Sequence, residues 1–236
     1  MPTPSWLTGS SRKPREGGLS VVLVFQVALI FVLAPLASCG LLSPVIVDIC
    51  RLALAAAAVL LLSRSRWISV AIITTLIVSI ALTIVLRSES AAIAVELERF
   101  AAVTAFDLAI AWAVAHVAFS EGRVSAHRIM GAVILYLTIA LVFANVYRFC
   151  ALLLHGAFSG LDMGSGHFIG NTLYFSLSTL TTTGFGDIAP LHPLVRSIAN
   201  LESVIGQLFP ATLLARLVTL HAATDPAAGK QEIRKA

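Results

Sequence analysis

The chain has 236 residues, 58% of them hydrophobic and only 12% charged, with a mean hydropathy of +0.93. This composition excludes a soluble domain built around one large core and defines a membrane protein. The formal net charge of +4 comes from basic residues gathered in a few loops, so it gives no reason to invoke nucleic acid.

In chain order, a polar tail of residues 1–17 carries Arg12, Lys13 and Arg15 and precedes six apolar stretches, each long enough to cross a bilayer as a helix. They cover residues 18–38, 44–62, 67–86, 100–119, 129–153 and 195–220, and residues 223–236 form a short polar tail. Lys and Arg mark the cytoplasmic ends of membrane helices. Here they lie before the first stretch, at Arg64 and Arg66, at Arg123 and Arg128, and at Arg216, Lys230, Arg234 and Lys235, all on one side of a six-span layout. The other side holds the 39–43 turn, a loop in which Glu89, Glu96 and Glu98 outnumber Arg87 and Arg99, and the segment before the last stretch. Both termini are therefore expected in the cytoplasm, and the lipid bilayer is the first partner of the chain.

The first four stretches form one expected domain, residues 18–125. None has Arg or Lys at every third position, the row of charges through which a membrane field does work, and His116 near the end of the fourth does not supply one. Asp48 and Arg51 are three residues apart on one helical face, and Asp107 is expected at a similar depth on the fourth stretch. An intramembrane ion-pair cluster of these three would hold the four helices together; coupling to a stimulus or a proton is the alternative. Cys39, Cys50 and Cys150 show neither metal spacing nor a disulfide framework and read as apolar filler. Leu36-Ala37-Ser38-Cys39 is similar to a bacterial lipoprotein cleavage box, but the run before it is long enough to span and further spans follow.

Between the fifth and sixth stretches the pattern changes. A glycine-rich segment, 156–170, reads as a flexible outer turret; residues 170–181 are helix-compatible but too short to cross, and they lead into Thr181-Thr182-Thr183-Gly184-Phe185-Gly186-Asp187. Irregular backbone at membrane depth is tolerated only where it lines a wet path or lies inside protein. The run can aim several main-chain carbonyls to one side if its backbone alternates between ordinary and positive φ. Glycine enters the positive region without a steric penalty, and Gly184 and Gly186 have the required spacing. Carbonyls aligned in this way can replace the water around a dehydrating K⁺.

Residues 128–222, a span, a short helix, this run and a span, resemble the pore of the potassium channel family, whose usual filter reads Thr-Val-Gly-Tyr-Gly-Asp. Thr183 stands for the valine and Phe185 for the tyrosine, so the phenolic hydroxyl that would tie the filter to the surrounding helix is missing. The resemblance implies an all-α membrane protein with six transmembrane helices and a re-entrant pore helix and selectivity filter between the fifth and sixth. The pore domain would be residues 126–222, preceded by a voltage-sensor-like domain without gating arginines. K⁺ would bind the carbonyls of Thr182, Thr183, Gly184 and Phe185, with Gly186 completing the filter and the Thr182 hydroxyl adding an oxygen at the inner end. Thr183 and Phe185 would pack their side chains behind the filter, and Asp187 would lie at the outer mouth. One strand cannot enclose an ion, so a homotetramer is expected. The implied function is passive, K⁺-selective conduction across the plasma membrane, in a bacterium the cytoplasmic membrane, with K⁺ as permeant ion and no cofactor. A weakly selective monovalent cation channel is one alternative. The other is a subunit of a K⁺ transporter, a kind that carries four degenerate filter loops in one polypeptide where this chain has one.

The last stretch adds two features. Gly206 falls where the family's inner helix has its hinge glycine, and Pro210 removes the N–H that would pair with the carbonyl of residue 206, so a kink is expected; it either sets the width of an inner gate or only shapes packing. Glu202 lies one turn before Gly206, and a carboxylate inside a span needs a partner. Ser176, Ser178 and Thr179 are the candidate donors, which would make Glu202 a structural tie for the filter; a cation-attracting role is the alternative. His155, His167 and His192 flank the outer pore and could confer pH sensitivity. The tail after His221 has no room for a cytoplasmic ligand-binding domain, so regulation by such ligands would need another chain. No nucleophile elbow, phosphate loop or catalytic carboxylate pair is present, and the protein reads as a non-enzyme.

Overall fold

The computed structural model of the protein describes residues 16–42, 126–163 and 167–224, with scattered positions at 50 and between 100 and 115. Helix α1 (Glu16–Ala28) runs through a π-helical turn, Leu29–Leu33, into α2 (Ala34–Ser38). Pro35 lacks the N–H that an unbroken α-helix would donate to the carbonyl of Phe31, and the wider turn just before it is where the helix adapts. Helix α3 is Ala126–Leu153, α4 is Phe168–Leu180 and α5 is Pro193–Thr224. Two-residue strands β1 (Phe158–Ser159) and β2 (Ala189–Pro190) pair antiparallel between them.

Three helices among the described residues are long and apolar enough to cross a membrane: Gly18–Ser38, Ile129–Leu153 and Pro193–Arg216. They are the first, fifth and sixth expected stretches, and they fit an all-α membrane protein. The second and third stretches, nearly half of the fourth, most of both tails, Asp48, Arg51 and His116 lie outside the described residues. The six-span count and the four-helix domain therefore rest on the sequence.

Packing places α3 at the centre. Its Ile134 and Leu135 join Leu19, Val22 and Leu29 of the first span and Val114 in one buried cluster. Leu137, Leu141 and Ala144 join Ile30 and Leu173 of α4 in a second. Two polar contacts lie inside this packing: Gln26 Nε2 donates to Thr138 Oγ1 at 3.0 Å, although Gln26 Oε1 is buried without a hydrogen bond, and Asn145 Nδ2 donates to the buried Asp107 Oδ2 at 2.8 Å. Asp107 thus fastens to α3, a partner that the expected cluster with Asp48 and Arg51 did not include.

A third cluster joins Tyr147, Ala157, Phe175, Ile188, Val195 and Ala199. The Phe175 ring meets Tyr147 edge-on at 4.8 Å and Phe158 at 5.4 Å, geometry that aromatic quadrupoles favour. Through Phe158 this cluster holds the β1–β2 pair, and the Ala157 carbonyl accepts the N–H groups of Leu191 at 2.8 Å and His192 at 3.3 Å. The first half of the glycine-rich segment is therefore built into the structure, which corrects the expectation of a flexible turret there. Helix α5 is the contrast. Only 11% of its apolar window is buried against 56% for α3, and Leu201, Val204 and Leu208 are exposed along one side.

Candidate functional site

The candidate site is the segment that leaves the C-terminus of α4. A helix end has four carbonyls without intrahelical partners. Here they are met by the chain that follows and by two neighbouring helices. Leu177 O accepts the Thr181 N–H at 3.0 Å, Ser178 O accepts the N–H of Thr183 at 2.8 Å, and Thr179 O accepts the Thr182 N–H at 3.0 Å. Thr179 O also accepts the Ser203 hydroxyl of α5 at 3.2 Å, and Leu180 O accepts the Tyr136 hydroxyl of α3 at 3.2 Å.

The segment's own backbone has a two-residue period. Thr182, Gly184 and Gly186 have φ of +57°, +58° and +83°, and Thr183 and Phe185 between them do not have positive φ. The glycine positions match the sequence expectation. Thr182 does not: a β-branched residue in the left-handed region is strained. Its hydroxyl oxygen is held by Gln207 Nε2 at 2.7 Å, a residue that the sequence reading passed over although an amide inside an apolar span was its signal.

The N–H groups of this segment point back to one side chain of α4. Gly184 N donates to Ser178 Oγ at 3.1 Å and Phe185 N at 3.4 Å. Among the described residues, no hydrogen bond is accepted by the carbonyls of Thr182, Thr183, Gly184 or Phe185. All residues from Thr181 to Asp187 are exposed. The strip thus presents a row of main-chain oxygens without protein partners beside a row of N–H groups that have them.

Side chains brace the strip from behind and above. Thr181 Oγ1 donates to Leu177 O at 2.7 Å, so the 2.8 Å contact between Thr181 Oγ1 and Thr183 Oγ1 has Thr183 as donor. Phe185 stacks on Tyr174 of α4 at 5.8 Å with much of its ring exposed, and the Tyr174 hydroxyl donates to Asp187 Oδ1 at 3.1 Å. A tie between strip and helix that Phe185 cannot make is thus supplied by the Tyr174 hydroxyl. Tyr174→Phe is expected to leave the fold within about 1 kcal/mol of the parent, as befits an exposed hydrogen bond. It should hasten the decay of ion flux during sustained opening, measured beside the thermal midpoint.

The remaining expected residues fall around this strip. Glu202 is buried, with Tyr147 Oη and Ser176 Oγ each within hydrogen-bond distance of one of its oxygens; of the other two proposed donors, Ser178 Oγ accepts from the strip, and Thr179 meets the strip and α5 through its carbonyl. Tyr147 was not foreseen. Gly206 is buried against the end of α4, with a hypothetical Cβ 1.8 Å from Leu180 O. Pro210 is exposed within α5, which continues through it to Thr224. His155 and His167 are exposed, and His192 Nδ1 accepts the Leu194 N–H at 3.3 Å at the start of α5. Cys39, Cys50 and Cys150 are free thiols.

Residues 131–222 match the family model described as ion channel, a segment that holds most of α3 and all of the strip and its braces. The protein LctB of Bacillus caldotenax is 31% identical over 87 residues, 35% of this chain and 64% of LctB. The chain thus covers less than two thirds of that relative's length. No solved structure matches the chain. The three apolar helices fit a membrane protein, and the matched segment is what the chain shares with ion channels.

Proposed function

We propose that the protein is a K⁺-selective channel in which four copies of the 182–186 strip surround one axis and conduct ions passively. The single observation that carries this reading is the row of main-chain oxygens. Buried or membrane-embedded carbonyls need a partner, and a row of them spaced along one strand fits a cation that sheds its water. Thr182, Thr183, Gly184 and Phe185 are the ligands on this reading, with the mouth at Asp187 and the inner-gate hinge at Gly206 and Pro210.

A homotetramer is supported by the same strip, since one copy cannot enclose an ion. It is supported as well by α5, an apolar helix that the described residues leave mostly uncovered. A plasma-membrane location with cytoplasmic termini follows from the placement of Lys and Arg. A monovalent cation channel of weaker selectivity uses the same geometry.

The test is flux through purified protein in liposomes. K⁺ uptake that exceeds Na⁺ uptake and is blocked by Ba²⁺ is the expected result. Gly184→Ala or Gly186→Ala forces an L side chain into the left-handed region, where each costs roughly 1–2 kcal/mol, and four copies multiply the distortion. Each variant is expected to abolish uptake. Unchanged uptake in both would remove the proposal.

A further inference from the structure

Glu202 of α5 meets Tyr147 Oη of α3 at its Oε2 and Ser176 Oγ of α4 at its Oε1, each at 2.5 Å. Ser176 Oγ also lies 2.8 Å from the carbonyl oxygen of Ala140 on α3. The network has three oxygen–oxygen contacts, and each needs one hydrogen, because two lone-pair oxygens at that distance with none between them repel. A phenol and an alcohol bring one hydrogen each. The third has no source but the carboxyl.

We infer that Glu202 is a neutral carboxylic acid that donates to Ser176 and so closes one hydrogen-bond chain across α3, α4 and α5. Tyr147 donates to Oε2, Glu202 donates from Oε1 to Ser176 Oγ, and Ser176 donates to the Ala140 carbonyl. The surroundings agree. Glu202 is fully buried, and among the described residues no Lys, Arg or His bonds to it. The titratable groups that face the network from the packed elements are Tyr136, Tyr147 and Cys150, all on α3 and none a cation. A bare carboxylate in this place would be costly.

The proton has a mechanical consequence. Ser176 stands two residues before Ser178, whose oxygen holds the N–H groups of Gly184 and Phe185. Loss of the carboxyl proton leaves one contact of the chain without a hydrogen and loosens the helix that carries the strip. This count of hydrogens does not depend on which ion crosses.

Infrared difference spectroscopy and thermal unfolding of the purified protein in lipid test it. At neutral pH, Glu202→Gln is expected to remove one protonated-carboxyl C=O band relative to wild type. It should stay folded with a melting temperature near or above that of wild type, because the amide oxygen can accept from Tyr147 and an amide N–H can donate to Ser176. Loss of a carboxylate band instead, or a Glu202→Gln protein that fails to fold, would each overturn the inference. Absence of K⁺ flux with the band present would count against the proposed function alone.

Discussion

Gly206→Ala is expected to break the junction between α5 and the base of the strip, with loss of both thermal stability and ion flux. A Cβ on residue 206 would lie 1.8 Å from Leu180 O, 2.7 Å from its carbonyl carbon and 3.1 Å from its Cα. All three atoms are backbone at the last residue of α4, and the Leu180 carbonyl is also held by the Tyr136 hydroxyl. Overpacking against a side chain costs about 1–3 kcal/mol because the side chain can turn aside, and backbone tied on its other face has no such escape. The cost is therefore set at about 3 kcal/mol or more, relieved only if α5 moves away and takes Ser203 and Gln207 from the strip. A melting temperature and flux equal to the parent's would show that the two helices do not touch here. Pro210→Ala separates this packing role from a hinge. The residue is exposed, and alanine returns an N–H to the carbonyl of Gly206, so the fold should hold while open probability shifts.

What the sequence disclosed and what it withheld divide along the range of the interactions. The spans at 18–38, 129–153 and 195–220 were legible because a run of apolar residues long enough to cross a bilayer is a local property. The positive φ of Gly184 and Gly186 was legible for the same reason: glycine at that spacing states its own backbone freedom. Thr182 at φ +57° was not, since nothing in its type favours the left-handed region and the bond from Gln207 comes from another helix. Glu202 announced that it needed a donor, and Ser176 was among the candidates. Tyr147 was invisible because no periodicity links positions so far apart on separate helices. Gly206 was read as a hinge through its pairing with Pro210, whereas the contact with Leu180 is a tertiary fact that composition cannot express. The glycines of 156–170 misled in the opposite direction, because glycine-rich sequence suggests freedom whether the residue is there for mobility or for a close approach.

Gly160→Ala shows which of those two holds at the outer end of the strip, and it is expected to be the second most damaging change. Gly160 has φ +76°, and a Cβ there would sit 2.0 Å from Asp187 O and 3.4 Å from Ile188 Cα. The left-handed strain alone is roughly 1–2 kcal/mol. To this is added a clash with backbone that cannot retreat freely, since Ser159 is paired with Ala189 and the Ala157 carbonyl holds the N–H groups of Leu191 and His192. Asp187 would be pushed from Tyr174, so the distortion reaches the mouth of the strip. Gly156 supplies the internal control: its φ is +70°, yet a Cβ there meets nothing within 4 Å. Gly156→Ala should cost only the strain, about 1–2 kcal/mol, and leave flux intact. Gly160→Ala should lower the melting temperature further and abolish flux. Equal losses in the two variants, measured side by side by thermal unfolding in lipid, would mean that the loop does not press on the Asp187 carbonyl and that the outer end of the strip is held in some other way.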